Sequence, residues 1–283
     1  MDDLDAARRW YAEDIGAVAP VRSDPRVVEA FATVPREAFL GPGPWQLHSR
    51  LNLGATHVTA DADPRHLYHD VLVTIEAVSG INNGLPSLWA MVFDALSIRP
   101  GTRVLQIGAG TGYFTAILAE LVTDSGRVFA YEIEPGLAVR AASALAPWPQ
   151  ARVQAGDASA MSALPECDVA VVCAGATHVP PAWLSALAPK GRMMIPMTGA
   201  NGWGCLMHLV RAVETMPVRS LGPCGFYPCT GARTDANAQA LSAAFGAGTA
   251  QLEAYHKGAP QEGAAVWMQG DGFWISKRPE PAQ

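Results

Sequence analysis

The sequence predicts an α/β fold in which helices cover a doubly wound, mostly parallel sheet. Three observations carry this prediction. Short apolar runs alternate with helical patterns between residues 103 and 197, and such alternation is typical of a parallel sheet with crossover helices. A glycine-rich loop follows the first of these runs. Two later runs, 204–211 and 218–227, are expected to be the closing strands of the sheet, which has an antiparallel end strand.

The N-terminal third predicts helices and a long loop. Apolar residues recur at helical spacing over 3–18, and Asp24 with Pro25 marks the start of a second helix that ends before Pro35. Residues 41–70 are irregular and indicate an ordered loop or lid. A further helix is predicted over 86–97, where apolar residues share one face.

The central part predicts the βα alternation itself. Its elements, in order, are a strand 103–107, a helix 113–121, a strand 127–132, a helix 135–145, strands 152–155 and 168–173, a helix 180–187 and a strand 192–197. Beyond residue 236 we expect a short Ala-rich helix. A hairpin follows, because Gly270-Asp271-Gly272 separates two apolar runs.

Length and composition suit one large α/β domain with an appendage. The chain has 283 residues, of which 49% are hydrophobic and 16% charged. A chain of this size buries roughly three quarters of its unfolded surface, and its low charge excludes a disordered chain. The net charge is −6 and Lys and Arg form no run, so we expect no nucleic-acid partner.

Targeting signals and disulfides are not expected either. The sequence contains no apolar run of about 20 residues, and its first residues are acidic and lack the apolar stretch of a signal peptide. The cysteines number five, an odd count without CxxC spacing, which fits reduced thiols. We therefore predict a cytoplasmic protein with no membrane segment.

A glycine loop follows the strand 103–107. It comprises Gly108, Ala109, Gly110, Thr111 and Gly112. Glycines let the backbone approach a ligand without a Cβ in the way, and the helix that follows offers free N–H groups. The dinucleotide fingerprint would need a glycine where this chain has Tyr113. The loop alone does not exclude a tight turn without a ligand.

Polar residues end the next two strands. Glu132 and Ile133 close the second strand, and Gly156, Asp157 and Ala158 close the third. A carboxylate at the first position can accept both hydroxyls of a ribose, and one at the second can reach an adenine amino group. Ligands bind at this edge of parallel sheets. Taken singly, Glu132 is also compatible with a solvated strand end, and Asp157 with a helix cap.

In this order, with Asp168 opening the fourth strand, these residues resemble those of class I S-adenosylmethionine-dependent methyltransferases. The resemblance implies a Rossmann-like methyltransferase fold and S-adenosyl-L-methionine as cofactor. It also implies a set of cofactor-binding residues: Gly108, Ala109, Gly110, Thr111, Gly112, Tyr113, Glu132, Ile133, Gly156, Asp157, Ala158 and Ala174. No metal is expected, because methyl transfer needs none and the acidic cluster at 61–70 is commonly a solvated loop.

Longer segments resemble the protein-L-isoaspartate O-methyltransferase family over roughly residues 20–230. The matching stretches are Asp24–Phe31, Val34–Phe39, Tyr68–Asp70 with Leu72, Ala174–Ala176 with Val179–Leu184, and Leu187–Arg192 with Ile195-Pro196. The resemblance implies a methyltransferase-like domain over 1–232, with a helical cap segment at 1–80. Residues 233–283 then form a C-terminal extension packed on that domain.

The chain departs from the family at its substrate loop. The family usually has a Ser two residues before a Pro and an Ala four residues after it. Here the Pro is Pro86, the Ala is Ala90, and the Ser position is Gly84. The missing hydroxyl would help to hold the substrate carboxylate, and Asn82, Asn83 or Ser87 offers a replacement donor. The same stretch is also compatible with a plain turn before a helix.

The chemistry of the acceptor separates three hypotheses. A carboxylate is ionised at neutral pH, so its methylation needs alignment and exclusion of water rather than a base. This favours a protein, peptide or small-molecule carboxylate as acceptor, with an Asp or isoAsp side chain first. A hydroxyl acceptor in a biosynthetic pathway would need a base, for which His69 and His178 are the candidates. The third hypothesis is a silent cofactor-binding protein whose extension contacts a partner or forms a homodimer.

Overall fold

The computed structural model describes residues 3–49, 52, 54–212 and 215–278. The chain divides into two compact units. The first comprises Met1–Thr102 and Ala109–Gly156, and the second comprises Arg103–Gly108 and Asp157–Gln283. The extension predicted at 233–283 falls in the second unit, although its last five residues, 279–283, lie outside the described part of the chain.

The described residues form seven α-helices and three short 3-10 helices. The α-helices are α1 Asp3–Val18, α2 Arg26–Thr33, α3 Pro86–Leu96, α4 Tyr113–Val122, α5 Pro135–Ala144, α6 Pro181–Ala186 and α7 Asp235–Phe245. The 3-10 helices are Arg36–Phe39, Pro64–Leu67 and Thr230–Ala232.

The described residues also form fourteen strands. They are β1 Gln46–His48, β2 Thr56–Val58, β3 Thr74–Glu76, β4 Ile81–Asn82, β5 Arg103–Ile107, β6 Arg127–Glu132, β7 Ala151–Ala155, β8 Cys167–Val172, β9 Leu187–Thr198, β10 Trp203–Val210, β11 Met216–Gly225, β12 Leu252–Lys257, β13 Val266–Gly270 and β14 Phe273–Lys277.

In the first unit, α1 packs on α2 and α3, and β6 pairs with β7 in parallel from Val128↔Ala151 to Glu132↔Ala155. Both α4 and α5 contact these strands. The parallel pairing brings the ends of β6 and β7 together, and α4 begins where the glycine loop ends. In the first unit, the carboxyl ends of β6 and β7 therefore lie together, and the unit also contains the N-terminus of α4.

The segment predicted as irregular, 41–70, contains the short strands β1 and β2, which pair in an antiparallel manner. β3 and β4 follow this segment and also pair in an antiparallel manner. A small apolar cluster stabilises this region, formed by Leu40, Trp45, Leu67 and Val73. Of this cluster, Trp45 and Leu67 lie within 41–70, and their burial agrees with the predicted ordered loop. Leu51 and Leu53, whose burial was also expected, lie outside the described residues.

In the second unit eight strands lie in the order β13-β14-β12-β11-β10-β9-β8-β5. β5, β8 and β9 pair in parallel, and β9 to β14 pair in an antiparallel manner. The extension belongs to this sheet, because β12 pairs with β11 at Met216↔Tyr255, and α7 contacts β9 and β10. The predicted α/β class is confirmed. No helix in the described ranges is long and apolar enough to cross a membrane.

Candidate active site

The glycine loop of the first unit is held by backbone hydrogen bonds. Ala109 N–H donates to the Tyr131 carbonyl at 3.0 Å, and Gly112 N–H donates to the Ala109 carbonyl at 3.0 Å. Gly112 has a φ of +97°, and a Cβ there would lie 3.2 Å from the Leu145 side chain. Gly110 also has a positive φ, but no atom lies within 4 Å of its Cβ position. The loop therefore packs closely on one side and leaves open space on the other.

Glu132 ends β6 beside this loop, and its side chain is buried. Its Oε2 accepts from Gly110 N–H at 2.7 Å, and its Oε1 accepts from Glu134 N–H at 3.0 Å. Burial raises the pKa of the Glu132 carboxyl, and the backbone N–H donors oppose this shift. The Ile133 N–H is a third backbone donor to it. An ionised carboxylate accepts about four hydrogen bonds, so acceptor capacity remains for a ribose hydroxyl.

Ile133 and Gly156 lie next to Glu132. Ile133 is 42% exposed, which provides an apolar side chain against which an adenine ring can pack. Gly156 N–H donates to the Glu132 carbonyl at 2.8 Å. Thr111 and Tyr113, by contrast, are buried. Of the loop residues predicted to bind cofactor, these two offer backbone groups rather than side chains.

The loop from Asn82 to Ser87 also belongs to the first unit. Gly84 has a φ of +77°, and a Cβ there would lie 2.6 Å from Trp89 Nε1 and 2.9 Å from Phe114 Cε2. Two aromatic side chains thus occupy the space that a serine would need. The glycine is required both by the backbone conformation and by this packing.

The three candidate replacement donors differ in accessibility. Asn82 is half-buried, and its Oδ1 accepts from Gly84 N–H at 2.9 Å, which leaves its Nδ2 for another partner. Asn83 is buried, with Oδ1 accepting from Val73 N–H, and its Nδ2 has no hydrogen-bond partner. Ser87 is buried, and its N–H donates to Asp70 Oδ1 at 2.9 Å. Asn82 is therefore the most accessible of the three.

The second unit contains the remaining predicted cofactor residues. Gly108 has a φ of +85°, and its Cβ position lies 3.4 Å from Cys173 Cβ. Asp157 is half-buried, with Oδ1 accepting from Ser159 N–H at 2.9 Å, in a turn rather than at a helix start. A Cβ on Gly231 would lie 2.5 Å from Asp157 Oδ2. This glycine therefore lets the chain pass directly over the carboxylate.

Two further predicted positions in this unit follow strand ends. The Ala158 carbonyl accepts from Trp183 Nε1 at 3.0 Å, which fixes the backbone after Asp157. Ala174 is half-buried and follows β8. Its neighbour Gly175 donates its N–H to the Tyr227 carbonyl at 2.6 Å. The backbone at both positions is thus ordered by contacts within the second unit.

The two candidate bases lie in different surroundings. His69 is exposed in the first unit, and its carbonyl accepts from Arg36. His178 is half-buried in the second unit, where burial lowers the pKa of its imidazole and Asp271 partly offsets this. An imidazole with a lowered pKa is neutral at pH 7, the form that a base requires.

The acidic cluster at 61–70 forms a turn held by its own ion pairs. His66 Nε2 lies 2.9 Å from Asp61 Oδ1, and Arg65 pairs with both Asp63 and Asp3. Within the described ranges, no group of three or more His, Cys, Asp or Glu side chains is placed to hold a metal ion. Asp168, predicted from the class pattern, pairs with Arg103 at 2.8 Å.

Sequence reasoning missed one central residue of the first unit. Arg36 is fully buried and donates to the Asn83 side chain of the substrate loop at 3.2 Å. It lies 47 positions before Asn83, within the family-like stretch Val34–Phe39, to which the sequence analysis gave no site role. The resemblance of that stretch to the family is the signal that could have pointed to it.

Fold and site together define the class of protein. A glycine loop between a parallel strand and a helix, with a buried carboxylate at the end of the next strand, is the arrangement of class I S-adenosylmethionine-dependent methyltransferases. The family profile of "Protein-L-isoaspartate(D-aspartate) O-methyltransferase (PCMT)" matches residues 18–234. The chain belongs to this family, and it is a carboxyl methyltransferase that uses S-adenosyl-L-methionine.

Relatives and solved structures agree with this assignment. The chain is 35% identical to "Protein-L-isoaspartate O-methyltransferase 1" of Anaeromyxobacter sp. (strain Fw109-5), over 79% of this chain and 98% of that protein. It is 33% identical to "Protein-L-isoaspartate O-methyltransferase" of Methanopyrus kandleri, over 80% and 92%. The predictions of family, fold, enzyme class and cofactor are thereby confirmed.

Two solved structures share the fold. One, titled as a protein-L-isoaspartate O-methyltransferase, aligns with a TM-score of 0.66 at 17% identity, over 97% of this chain and 88% of its own. The other is a putative family member from Plasmodium falciparum in complex with S-adenosyl-L-homocysteine, with a TM-score of 0.61 at 16% identity, over 79% and 98%. Because the first alignment reaches 97% of this chain, the C-terminal extension has a counterpart in that fold.

Proposed function

We propose that the chain methylates the free carboxylate of isoaspartyl residues in peptides or proteins. The observation that carries this proposal is the extent of the family match, because residues 18–234 include both the glycine loop and the substrate loop. The site also suits the reaction. A carboxylate is ionised at neutral pH, and the substrate loop offers amide and backbone donors rather than a strong base.

Each cofactor-binding role is assigned to a residue that fits one part of S-adenosyl-L-methionine. Glu132, buried and with acceptor capacity left, would bind a ribose hydroxyl, and Ile133 would pack on the adenine. Gly108 and the loop 109–112 would let the backbone approach the cofactor. Asp157 would accept from the adenine amino group. When bound, S-adenosyl-L-methionine supplies an electrophilic methyl group on a sulfonium.

The acceptor-binding role falls to the loop before α3. Asn82 is accessible, and the hydrogen bond from Gly84 N–H fixes its carboxamide. Its Nδ2 would donate to the acceptor carboxylate in place of the missing hydroxyl. Trp89 and Phe114, buried behind Gly84, exclude water from that side. Methyl transfer to a carboxylate requires alignment of the acceptor oxygen with the methyl group and exclusion of water.

One observation favours a second candidate function. His178 is half-buried with a lowered pKa, which suits a base for a hydroxyl acceptor, and Gly84 removes the usual hydroxyl of the substrate loop. Small-molecule O-methylation would then depend on His178. A base contributes about 10²- to 10⁴-fold to rate, so His178→Asn would lower that activity by about this factor. Carboxyl methylation would retain most of its rate in the same variant.

Labelled S-adenosylmethionine tests the proposal directly. The chain is incubated with an isoaspartyl peptide or with the matched aspartyl peptide of the same sequence. We expect base-labile label on the isoaspartyl peptide and little on its control. Label that resists base, on a small product from a cell extract, would support the second function. Cofactor binding without transfer to any acceptor would support the silent protein and overturn both.

Location and assembly remain proposals. We propose a cytoplasmic location, which is supported by five cysteines that are all free thiols, four of them buried. We also propose that the C-terminal extension forms a homodimer contact. Light scattering of the purified chain tests this proposal, and a monomer at all concentrations would contradict it.

A further inference from the structure

One buried guanidinium organises the segment before the substrate loop. Arg36 Nη1 donates to the Leu67 carbonyl at 2.6 Å and to the His69 carbonyl at 2.9 Å, and Nη2 donates to the Val71 carbonyl at 2.6 Å. These carbonyls belong to alternate residues. The chain over 67–71 therefore wraps around a single side chain.

The same segment is tied to both ends of the substrate loop. Arg36 Nη2 also donates to Asn83 Oδ1, which accepts in addition from Val73 N–H. Asp70, within the wrapped segment, accepts from the N–H of Ser87 in the first turn of α3. Residues 83 and 87 are thus fixed by contacts that depend on Arg36, and Gly84 lies between them.

The guanidinium also lies against two tyrosine rings, one from α1 and one from α4. The rings of Tyr11 and Tyr113 each have their centre 5.8 Å from Arg36 Cζ, and the two phenol oxygens lie 3.1 Å apart. Tyr113 is the first residue of α4, directly after the glycine loop. Arg36 therefore connects the substrate loop with the start of the helix that follows the cofactor loop.

Stability alone is a poor reason to bury such a group. Transfer of a charge to the interior is costly unless it is fully hydrogen-bonded, and apolar replacements of buried charges are often neutral or stabilising. Arg36 Nε is buried and has no partner, so the arrangement is not optimal for stability. Its N–H donors instead fix one conformation of the segment 67–71 and of the substrate loop.

We propose that Arg36 is a positioning residue for methyl transfer. It holds the substrate loop in register with the N-terminus of α4, so that the loop binds the acceptor with its carboxylate facing the methyl group. Acceptor affinity, rather than cofactor affinity, then depends on it. This inference rests on the proposed function, because the acceptor is the isoaspartyl peptide.

Two substitutions separate positioning from packing. Arg36→Met removes all the donors, whereas Arg36→Lys keeps a charge and three donors but loses the planar fork. We expect the KM for the isoaspartyl peptide to rise at least about tenfold in Arg36→Met, since a charged hydrogen bond contributes about that factor. The rise should be smaller in Arg36→Lys. The cofactor Kd should stay within about twofold of wild type in both.

Arg26→Lys is the matched control. Arg26 also bridges backbone carbonyls of the first unit, from Nη1 to Leu121 at 3.0 Å and from Nη2 to Ile98 at 2.6 Å. Its guanidinium also pairs with Asp24, and these partners belong neither to the substrate loop nor to the start of α4. We expect Arg26→Lys to lower the melting temperature and to leave the KM for the peptide unchanged.

The outcomes distinguish this inference from the proposed function. If wild type methylates the isoaspartyl peptide and both Arg36 variants keep its KM, the inference is overturned. If Arg36→Met does not fold, Arg36→Lys decides by the same measurement. If wild type ignores the peptide, the proposed function fails, and hydrogen exchange decides this inference. Faster amide exchange over 82–87 in Arg36→Lys, without change in α5, supports positioning, and unchanged exchange overturns it.

Discussion

At the scale of the residue, Gly84 decides whether the missing serine can be restored. A Cβ at Gly84 meets the indole of Trp89 and the ring of Phe114, and its φ is +77°. We predict that Gly84→Ala lowers the free energy of unfolding by about 2–4 kcal/mol, as the sum of backbone strain and overpacking. Gly84→Ser should be no better and should not raise activity.

Gly101→Ala is the control for backbone strain alone. Gly101 has a φ of +83°, but the nearest atom to its Cβ position is Ser125 Oγ at 3.7 Å. We expect a loss of about 1–2 kcal/mol in that variant, measured by urea unfolding. Equal losses of unfolding free energy in Gly84→Ala and Gly101→Ala would show that Trp89 and Phe114 move to accommodate a Cβ at residue 84.

Substitution of Glu132 should affect cofactor affinity and protein stability in different ways. Because burial raises its pKa, the stabilisation linked to this group is fully present below its unfolded pKa and is lost as pH rises through its folded pKa. Glu132→Gln removes that ionisation, so we expect the variant to be at least as stable as wild type at neutral pH. Its cofactor affinity should fall about 10- to 100-fold, since a charged hydrogen bond to the ribose is lost.

Titration calorimetry and thermal unfolding between about pH 5 and pH 8 check both parts. Wild-type cofactor affinity should fall as pH drops, because protonation removes acceptor capacity from the carboxylate. The affinity of Glu132→Gln should stay flat over the same range. An unchanged affinity in the variant would remove Glu132 from the cofactor site.

Sequence patterns were enough to predict a set of cofactor-binding residues, because each predicted residue lies at or next to a strand end. The glycine loop and Glu132 occupy fixed places in a βα unit, so local pattern was sufficient to predict Glu132 in the first unit and Asp157 in the second. The substrate loop was predicted as well, but the sequence did not rank Asn82, Asn83 and Ser87 by accessibility. Burial separates them, and burial depends on Arg36, a contact distant in sequence that no local period encodes.

At the scale of the element, helices and buried strands were predicted better than short strands and the strands of the C-terminal extension. β5, β6 and β8 are apolar runs bounded by turns, which a period-based analysis detects. β1 to β4 have two or three residues each, too few to show alternation. β12 was missed because Leu252–Lys257 mixes charged and apolar residues, and its pairing with β11 depends on tertiary packing.

β9 shows how tertiary contacts extend an element beyond its apolar run. The prediction was a strand over 192–197, and the structure has Leu187–Thr198. The added residues include Pro189 and Gly191, which are signals for a loop. Arg211 donates its N–H to the Gly191 carbonyl at 2.8 Å, and Lys190 N–H donates to the Arg211 carbonyl. These distant partners continue the pairing past the local signal.

The N-cap of α7 is an element whose effect can be measured. Thr234 Oγ1 accepts from Asn237 N–H at 3.3 Å, and Thr234 N–H donates to Thr177 Oγ1, next to His178. We predict that Thr234→Ala lowers the free energy of unfolding by about 1 kcal/mol. Thr234→Ser keeps the hydroxyl and should retain most of that energy. Chemical denaturation measures both, and equal losses would assign the effect to the methyl group.

At the scale of the whole molecule, the C-terminal extension is part of a sheet rather than an attachment. Its apolar side chains are buried within the second unit; they include Ala238, Leu241, Leu252, Tyr255, Phe273 and Ile275. Tyr255 stacks on Phe273 with ring centres 5.0 Å apart. β12 continues the antiparallel order beyond β11. Removal of the extension would therefore expose apolar surface on β9 to β11 as well as an unpaired strand edge.

We predict that a chain ending at residue 234, where the family profile ends, loses cooperative unfolding and aggregates. The physical reason is loss of the core that α7 and β12 to β14 form with the second unit. Leu241→Ala is the graded control, because Leu241 is fully buried and its truncation should cost about 2–5 kcal/mol without changing the fold. Circular dichroism on heating and size-exclusion chromatography measure both. A truncated chain that melts at the wild-type temperature and retains methyl transfer would make the extension independent of the catalytic fold.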